Sequence, residues 1–474
     1  MRSLLVNVLP AATRVAVTEA GRLVAYRLLD PNAVWRLGQV YVGRVTQVLP
    51  SIDACFVDVG REDPVFVNRR QIPDAGQRQA TLKDLVKQGQ IMRLQITKLP
   101  VDDKSPRGSG ILKLGGFYLG LEEGAGKVRF SGHFEGDRGA LKKLLGEAPF
   151  SSYGWRVRSA ASHADPAGLR HEAEVLQKRA EALLRMPLEG ANRLLEDTFF
   201  LDDLLFAEAP HQLHAVHCDD DHFMADARAA YKVLAPWLSP RLQRHHGPLP
   251  LFDTYKITSA LERMLANHVW LKSGGSLLFH QSEAMVTIDV NTGKQRKGKK
   301  GQSAHLTTNL EAVTEAFEQI RLRNLAGLIA IDFLNHDRPD ERRTLQQAVR
   351  DAAKADRADL DLEPINRFGV LVMTRQRRGD DFERRHKQTC PQCGGSGRIP
   401  TAEVVALRLQ QELMRDGAGY AGETLVIEAG GLLFPYLTRH ARLLFANLAD
   451  AHGFQFVLQK SPKRHSMGYQ INLS

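Results

Sequence analysis

Cysteine is scarce in this chain: four residues in 474, Cys55, Cys218, Cys390 and Cys393. They are too few and too unevenly spread for a disulfide framework, which excludes the small secreted scaffolds that such frameworks hold together. Long apolar runs are missing too; nothing approaches the roughly 18 to 20 residues a membrane helix needs. The start, Met1 to Leu9, lacks a signal peptide's long apolar core with a small-residue cleavage site. These absences predict a cytoplasmic protein with no membrane insertion. Acidic residues are in deficit, 54 Asp plus Glu against 64 Lys plus Arg, so the net charge is +10. That balance favours polyanionic partners, nucleic acid before anionic membrane surfaces. Hydrophobic and charged fractions of 43% and 25% are ordinary for globular chains. The length implies roughly three domains, more if some are small.

Two-residue alternation marks strands early in the chain. Residues 1 to 35 predict one short strand pair, Leu4 to Val8 and Arg14 to Val17. From Gln39 to Asn68, Val40, Val42, Val45 and Val48, then Ala54 to Val59, then Val65 to Val67 alternate between turns at Leu49-Pro50-Ser51 and Gly60 to Pro64. A further strand, Ile91 to Ile96, completes four or five strands over some 60 to 70 residues, which predicts a small barrel of OB type. Another small β-sandwich is the competing reading. Residues 100 to 115, rich in Pro, Gly and Asp, read as an irregular loop leaving the barrel. A helix is predicted from Pro166 behind a capping Asp165, with Leu169, Ala173, Leu176, Ala180 and Leu183 as its buried stripe. His214, His217, Cys218, Asp219, Asp220, Asp221 and His222 are all metal-ligating types. They fall on a short strand running into an acidic turn, where neighbours point to opposite faces, so a structural role is expected.

The most informative stretch lies between Lys272 and Phe333. Ala284 to Asn291 and Ala326 to Phe333 are apolar, β-rich segments, each with an aspartate near its C-terminal end, Asp289 and Asp332. Between them a helix is predicted to begin at Thr308, where Thr308 and Glu311 have capping-box spacing, and to bury Leu310, Val313, Phe317 and Ile320. This is the length of one strand–helix–strand crossover, which makes the two strands parallel and close. Asp289 and Asp332 then stand side by side at the carboxyl edge of a sheet, where ligands of α/β folds bind. Paired carboxylates repel, and a hard cation such as Mg²⁺ relieves the repulsion while supporting phosphoryl transfer to water. Asn291 shares their face if the strand continues, and is suited to orienting water or a phosphate oxygen. Lys294 to Lys300 then carries five basic residues in seven, matched to a nucleic-acid backbone. Each piece alone is commonplace, strand-end aspartates and solvated basic loops included; their combination carries the reading.

Cys390-Pro391-Gln392-Cys393-Gly394-Gly395-Ser396-Gly397 has the form of half a zinc knuckle, two thiolates across two residues followed by turn glycines. A structural zinc takes four ligands and no second cysteine pair of this spacing exists, so two copies of the chain would complete the site. A redox Cys-x-x-Cys is the alternative, but that motif prefers a helix N-terminus after a strand.

Taken together, these segments resemble the ribonuclease E/G family. The likeness is carried by Ala54-Cys55-Phe56-Val57-Asp58-Val59-Gly60, Leu271-Lys272-Ser273-Gly274-Gly275, Glu283-Ala284-Met285 through Asp289-Val290-Asn291-Thr292-Gly293, Thr308 to Ala312, Arg321-Leu322-Arg323-Asn324-Leu325 through Asp332-Phe333, Thr374-Arg375-Gln376-Arg377 and the Cys390 to Gly397 motif. It covers nearly the whole chain and is densest from about 250 to 400. The resemblance implies an α/β multidomain fold. An RNase H-like domain is split over 1–35 and 201–268, with an OB-fold RNA-binding barrel at 36–112 inserted in it and a 5′-end sensor domain at 113–200. A DNase I-like α/β catalytic domain at 269–385, a zinc link at 386–401 and a small C-terminal α/β domain at 402–474 follow.

The function it implies is Mg²⁺-dependent hydrolytic endonuclease action on single-stranded RNA, leaving 5′-phosphate and 3′-hydroxyl ends, in RNA processing and rRNA maturation. By resemblance, Asp289 and Asp332 bind catalytic Mg²⁺ beside Asn291. Cys390 and Cys393 share a structural Zn²⁺ between the protomers of a homodimer or higher oligomer. Phe56 and Phe66 stack on bases, although pattern alone leaves Phe56 open to being a barrel-core residue. Arg158 and Ser159 match the family's arginine and threonine that recognise a 5′-monophosphate, with an ordinary exposed strand arginine as the alternative. The chain departs from the family between Lys104 and Lys113, where Arg107 stands in for a lysine of the RNA path and the usual threonines are missing. It ends at Ser474 without the long scaffold arm of the family's larger members, so a role organised by such an arm is not expected. A non-catalytic RNA-binding or ribosome-assembly protein and a DNA nuclease are the rival readings.

Overall fold

A computed structural model of the chain describes all residues except 31, 74–80, 101–103, 125, 199–201, 208–209, 294–302, 337, 357, 378–381 and 463–464. The basic run at Lys294–Lys300 therefore lies outside the described residues. The chain forms two units, Met1–Phe382 and Glu383–Ser474.

In the first unit, Arg2–Leu9, Ala12–Glu19 and Arg22–Leu29 form an antiparallel meander. Its first strand also pairs in parallel with Leu213–Cys218, which in turn pairs with Leu242–Arg244. The expected strand pair is thus three strands of five; Arg22–Leu29 escapes a period-two reading because Arg22 and Arg27 interrupt its apolar positions. The acidic turn after Leu213–Cys218 is structural as expected. Asp220 caps the helix Asp221–Tyr231 by accepting from the Phe223 N–H, and Asp219 accepts from the Asn7 side chain and the Val8 N–H.

The barrel is real and closed. Val40–Leu49, Ala54–Asp58, Val65–Asn68, Arg107–Ser109 and Ile91–Lys98 pair in that order, and the last returns to the first. Its closing strand lies inside the segment read as a loop. Pro106, Gly108 and Gly110 mimic loop composition, but Gly108 is glycine for packing. A Cβ there would lie 2.6 Å from Leu94 Cδ1 and 2.8 Å from Val65 Cγ1.

A four-stranded sheet, Lys113–Gly115, Leu119–Glu123, Tyr153–Val157 and Val128–Phe130, packs beside the helix Pro166–Arg185. Asp165 caps that helix and the predicted stripe is buried. A six-stranded sheet runs His268–Trp270, Ser276–Gln281, Met285–Asn291, Gly327–Asp332, Val370–Arg375, Leu360–Leu362. One of its faces, with Leu277, Phe279, Val286, Ile288, Ile329, Ile331 and Leu371, packs on the helices Ala304–Leu322 and Pro339–Lys354. The first of these helices begins four residues before the expected Thr308. Ser303 is the cap, accepting from the Leu306 N–H, while Thr308 is buried within the helix. The capping-box spacing at Thr308 misled because a stronger cap stands five residues upstream.

The second unit has a three-stranded sheet, Gln455–Lys460 beside Thr424–Ala429 beside Tyr469–Leu473. It packs with the helix Ala402–Asp416 around Leu409, Leu413, Ile427 and Leu437.

Candidate active site and nucleic-acid interface

The parallel strands Met285–Asn291 and Gly327–Asp332 are direct neighbours, and Asp289 registers opposite Asp332. Alternation sends Val286, Ile288 and Val290 into the core and Thr287, Asp289 and Asn291 outward. The crossover helix anchors both strands through Val313, Phe317 and Ile320. Two exposed carboxylates therefore stand side by side on one face of a rigid sheet, carried by neighbouring strands whose backbones run roughly 4.8 Å apart. Asn291 Nδ2 donates to Asp289 Oδ2 at 2.9 Å, so the exposed group carries Asp289 Oδ1 and the Asn291 side-chain carbonyl oxygen as further oxygen donors. This set of hard oxygen donors fits Mg²⁺, which takes one or two carboxylates and keeps its waters.

The ends of these strands are held by glycine turns. Leu271 to Gly275 closes on itself, the Leu271 N–H donating to the Gly275 carbonyl, and lies against the backbone after Asp289. A Cβ on Gly275 would meet the Asn291 carbonyl at 2.7 Å and one on Gly293 would overlap the Gly274 carbonyl. After Asp332, Asn309 Oδ1 accepts from the Leu334 N–H, and its amide donates to the Leu334 carbonyl and to His336 Nε2. His336 Nδ1 then carries the hydrogen and donates to Glu341, which also accepts from Ser303. This buried network fixes the loop that follows the second aspartate. At the other end of the sheet Arg375 forms a buried pair with Asp356 and also donates to Asn324 and the Leu325 carbonyl. Arg323 donates to Gln319 and to the carbonyls of Arg263 and Ala266, its guanidinium 4.3 Å from the Phe279 ring centroid. Two of the motifs that carried the resemblance are thus scaffolding.

On the barrel, Phe56 and Phe66 are cross-strand partners with ring centroids 5.7 Å apart, and the Arg107 guanidinium lies 5.8 Å over the Phe66 ring. Both rings are half-buried and stand outside the barrel core of Tyr41, Val57, Val65 and Leu94. Phe56 is therefore not a core residue. Lys104 is exposed three residues before Arg107. The arrangement is a cationic aromatic platform of the kind that stacks single-stranded bases.

Arg158 is half-buried just after the strand Tyr153–Val157, and its guanidinium donates to the Phe206 carbonyl. Ser159 is exposed at the head of the 3₁₀ turn Ser159–His163. Beside them sits a residue that pattern reading passed over. Glu172 is buried and accepts from the N–H groups of Phe117, Tyr118 and Leu119. Burial pushes its carboxyl up to about 7, against the pull of those N–H groups and of Arg158. The signal was present: Glu172 lies three residues after Leu169 on the apolar stripe, where a charge demands a partner.

Cys390 and Cys393 lie in a turn in which Gly394, Gly395 and Gly397 take positive φ. Backbone N–H groups of Gly397 and Gly395 hold the Cys393 thiol below its usual range, which favours the thiolate that zinc binds. Among the described residues no group of three or more metal-ligating side chains gathers, so within one copy this pair offers half a tetrahedral site. Cys55 and Cys218 are buried, their thiols pushed up to about 11 and about 12 by desolvation. No described helix is long and apolar enough to cross a membrane.

Comparison with known proteins agrees with the geometry. The pattern of the Ribonuclease E/G family matches residues 115–378. Ribonuclease G of Escherichia coli is 31% identical over 457 aligned residues, 90% of each chain, and that of Salmonella typhimurium is 31% identical with 97% of each covered. Ribonuclease E of Haemophilus influenzae is 27% identical over 94% of this chain and 49% of its own length. With its paired strand-end aspartates, closed barrel and extended match to these relatives, the chain belongs to the ribonuclease E/G family.

Proposed function

We propose that the protein is a Mg²⁺-dependent endoribonuclease that hydrolyses single-stranded RNA in RNA processing, rRNA maturation included, and leaves 5′-phosphate and 3′-hydroxyl ends. The observation that carries this is the registered pair Asp289 and Asp332 on the exposed face of the sheet. Names of the relatives, ribonuclease G and ribonuclease E, point the same way. Asp289 and Asp332 would hold Mg²⁺, which when bound supplies charge neutralisation at the phosphate and a more acidic water. Asn291 orients the Asp289 carboxylate through its hydrogen bond and presents a polar amide to a phosphate oxygen. Phe56, Phe66, Arg107 and Lys104 grip the substrate strand on the barrel, and Arg158 with Ser159 offers a guanidinium and a hydroxyl to a 5′-terminal phosphate. Cys390 and Cys393 of two copies would complete a Cys₄ zinc site and make a homodimer.

The test is cleavage of a short single-stranded RNA bearing 5′-monophosphate or 5′-hydroxyl, with Mg²⁺ or EDTA. Asp289→Asn and Asp332→Asn are expected to lose at least 1,000-fold in rate, on the order of 4 kcal/mol of transition-state stabilisation, while RNA affinity changes less than about threefold. Tight binding without metal-dependent cutting by the wild type would move the protein to the RNA-binding class, and equal cutting of a DNA strand would favour the DNA nuclease.

A further inference from the structure

The catalytic sheet carries more than its aspartates on the open face. Trp270 registers opposite Ser276, and Ser276 opposite Asn291, so Trp270 shares the face of Asn291, Asp289 and Asp332. Its strand lies two places from that of Asp289, roughly 10 Å across the sheet. The indole is 69% exposed, and His268 packs edge-on against it at 4.5 Å, which holds the ring in place. On the opposite flank, Val370 registers with Asp332, and the turn leading into it presents Phe368, 63% exposed, with the Arg367 guanidinium 4.7 Å from its ring centroid. Asn366 ties that turn by accepting from the N–H groups of Phe368 and Val370. A pocket of about 400 Å³ beside it has Arg342, Arg343 and Arg367 in its lining, together with apolar residues such as Phe333 and Ile365.

An exposed ring on either side of a carboxylate pair, at the same edge of one sheet, is an arrangement that burial does not explain. Base stacking does, because every base offers a π-face, and the guanidiniums on the Phe368 side suit the phosphates that come with it. We propose that the RNA strand crosses this edge transverse to the β-strands, with a base stacked on Trp270 on one side of the cleaved bond and a base on Phe368 on the other. Arg342, Arg343 and Arg367 take the phosphates on the Phe368 side. The inference rests on the endoribonuclease reading and adds to it the two nucleotide subsites that place the cleaved phosphate over Asp289 and Asp332.

The experiment uses the full-length protein and a single-stranded RNA with one mapped cleavage position, in which each nucleotide in turn is replaced by an abasic residue. In the wild type one abasic position on each side of the bond is expected to raise KM roughly tenfold, in line with stacking lost from one base. Trp270→Ala should raise KM for the intact RNA by a similar factor and abolish sensitivity to the abasic residue on one side only. Phe368→Ala should do so on the other side only, and Trp270→Phe and Phe368→Tyr should restore most of it. A merely structural role would not move the abasic profile on a single side. An unchanged profile in either alanine variant, or loss of sensitivity on the same side in both, overturns the proposal. If the wild type does not cut, or Asp332→Asn cuts as fast as wild type, the endoribonuclease reading itself fails; if both controls behave and only the abasic profile is flat, this inference alone does.

Discussion

Asp289 and Asp332 reach solvent because each follows a buried isoleucine, Ile288 and Ile331, in a strand whose period is two. Their neighbours on the strands are therefore as important as the aspartates, since a one-residue slip would bury both carboxylates. Glu172 is the opposite case, a carboxyl inside the protein where burial outweighs three backbone donors. Because its native pKa, about 7, lies above the 4.5 of the open chain, the folded state keeps a proton that the unfolded chain releases. The associated stability is present below about pH 4.5 and is lost as pH rises through about 7. Thermal unfolding of the wild type and Glu172→Gln compared from pH 5 to 8 should show the wild type losing ground to the variant, by up to about 3 kcal/mol. A constant difference would mean the carboxyl titrates normally.

At the scale of elements, the strand–helix–strand crossover was legible in sequence, from its alternating apolar runs and the helical spacing of Val313, Phe317 and Ile320. What pattern could not show is how the far end of the sheet is pinned. Arg375 and Asp356 are nearly sealed from solvent, with side chains 5% and 1% exposed, and Arg375 also satisfies Asn324 and the Leu325 carbonyl. Removing one partner strands the other. Arg375→Met should cost about 3 to 5 kcal/mol, measured by denaturant unfolding, whereas the joint replacement Arg375→Met with Asp356→Leu should recover much of it. Charged residues in a β-rich motif read as surface on sequence alone; only packing reveals that their partners come from 19 and 51 residues away. The barrel's closing strand was hidden for a related reason, since Gly108 looks like a loop residue until Leu94 and Val65 are seen against it.

For the whole molecule, the cysteine pair makes a prediction about assembly. If two copies share zinc through Cys390 and Cys393, Cys390→Ser or strong chelation should convert a dimer to a monomer in analytical ultracentrifugation, with about one zinc lost per dimer. A dimer that persists without zinc would refute the shared site. Sequence alone determined four of the barrel's five strands, the two parallel β-segments with their terminal aspartates and the paired thiols, because each is written in local periodicity or in spacing of a few residues. Tertiary structure decided the closing of the barrel, the placing of Phe56 and Phe66 outside its core, the burial of Glu172 and the alignment of Trp270 with the aspartates. Those depend on register between strands and on partners distant in the chain, which a period of two or 3.6 residues cannot encode.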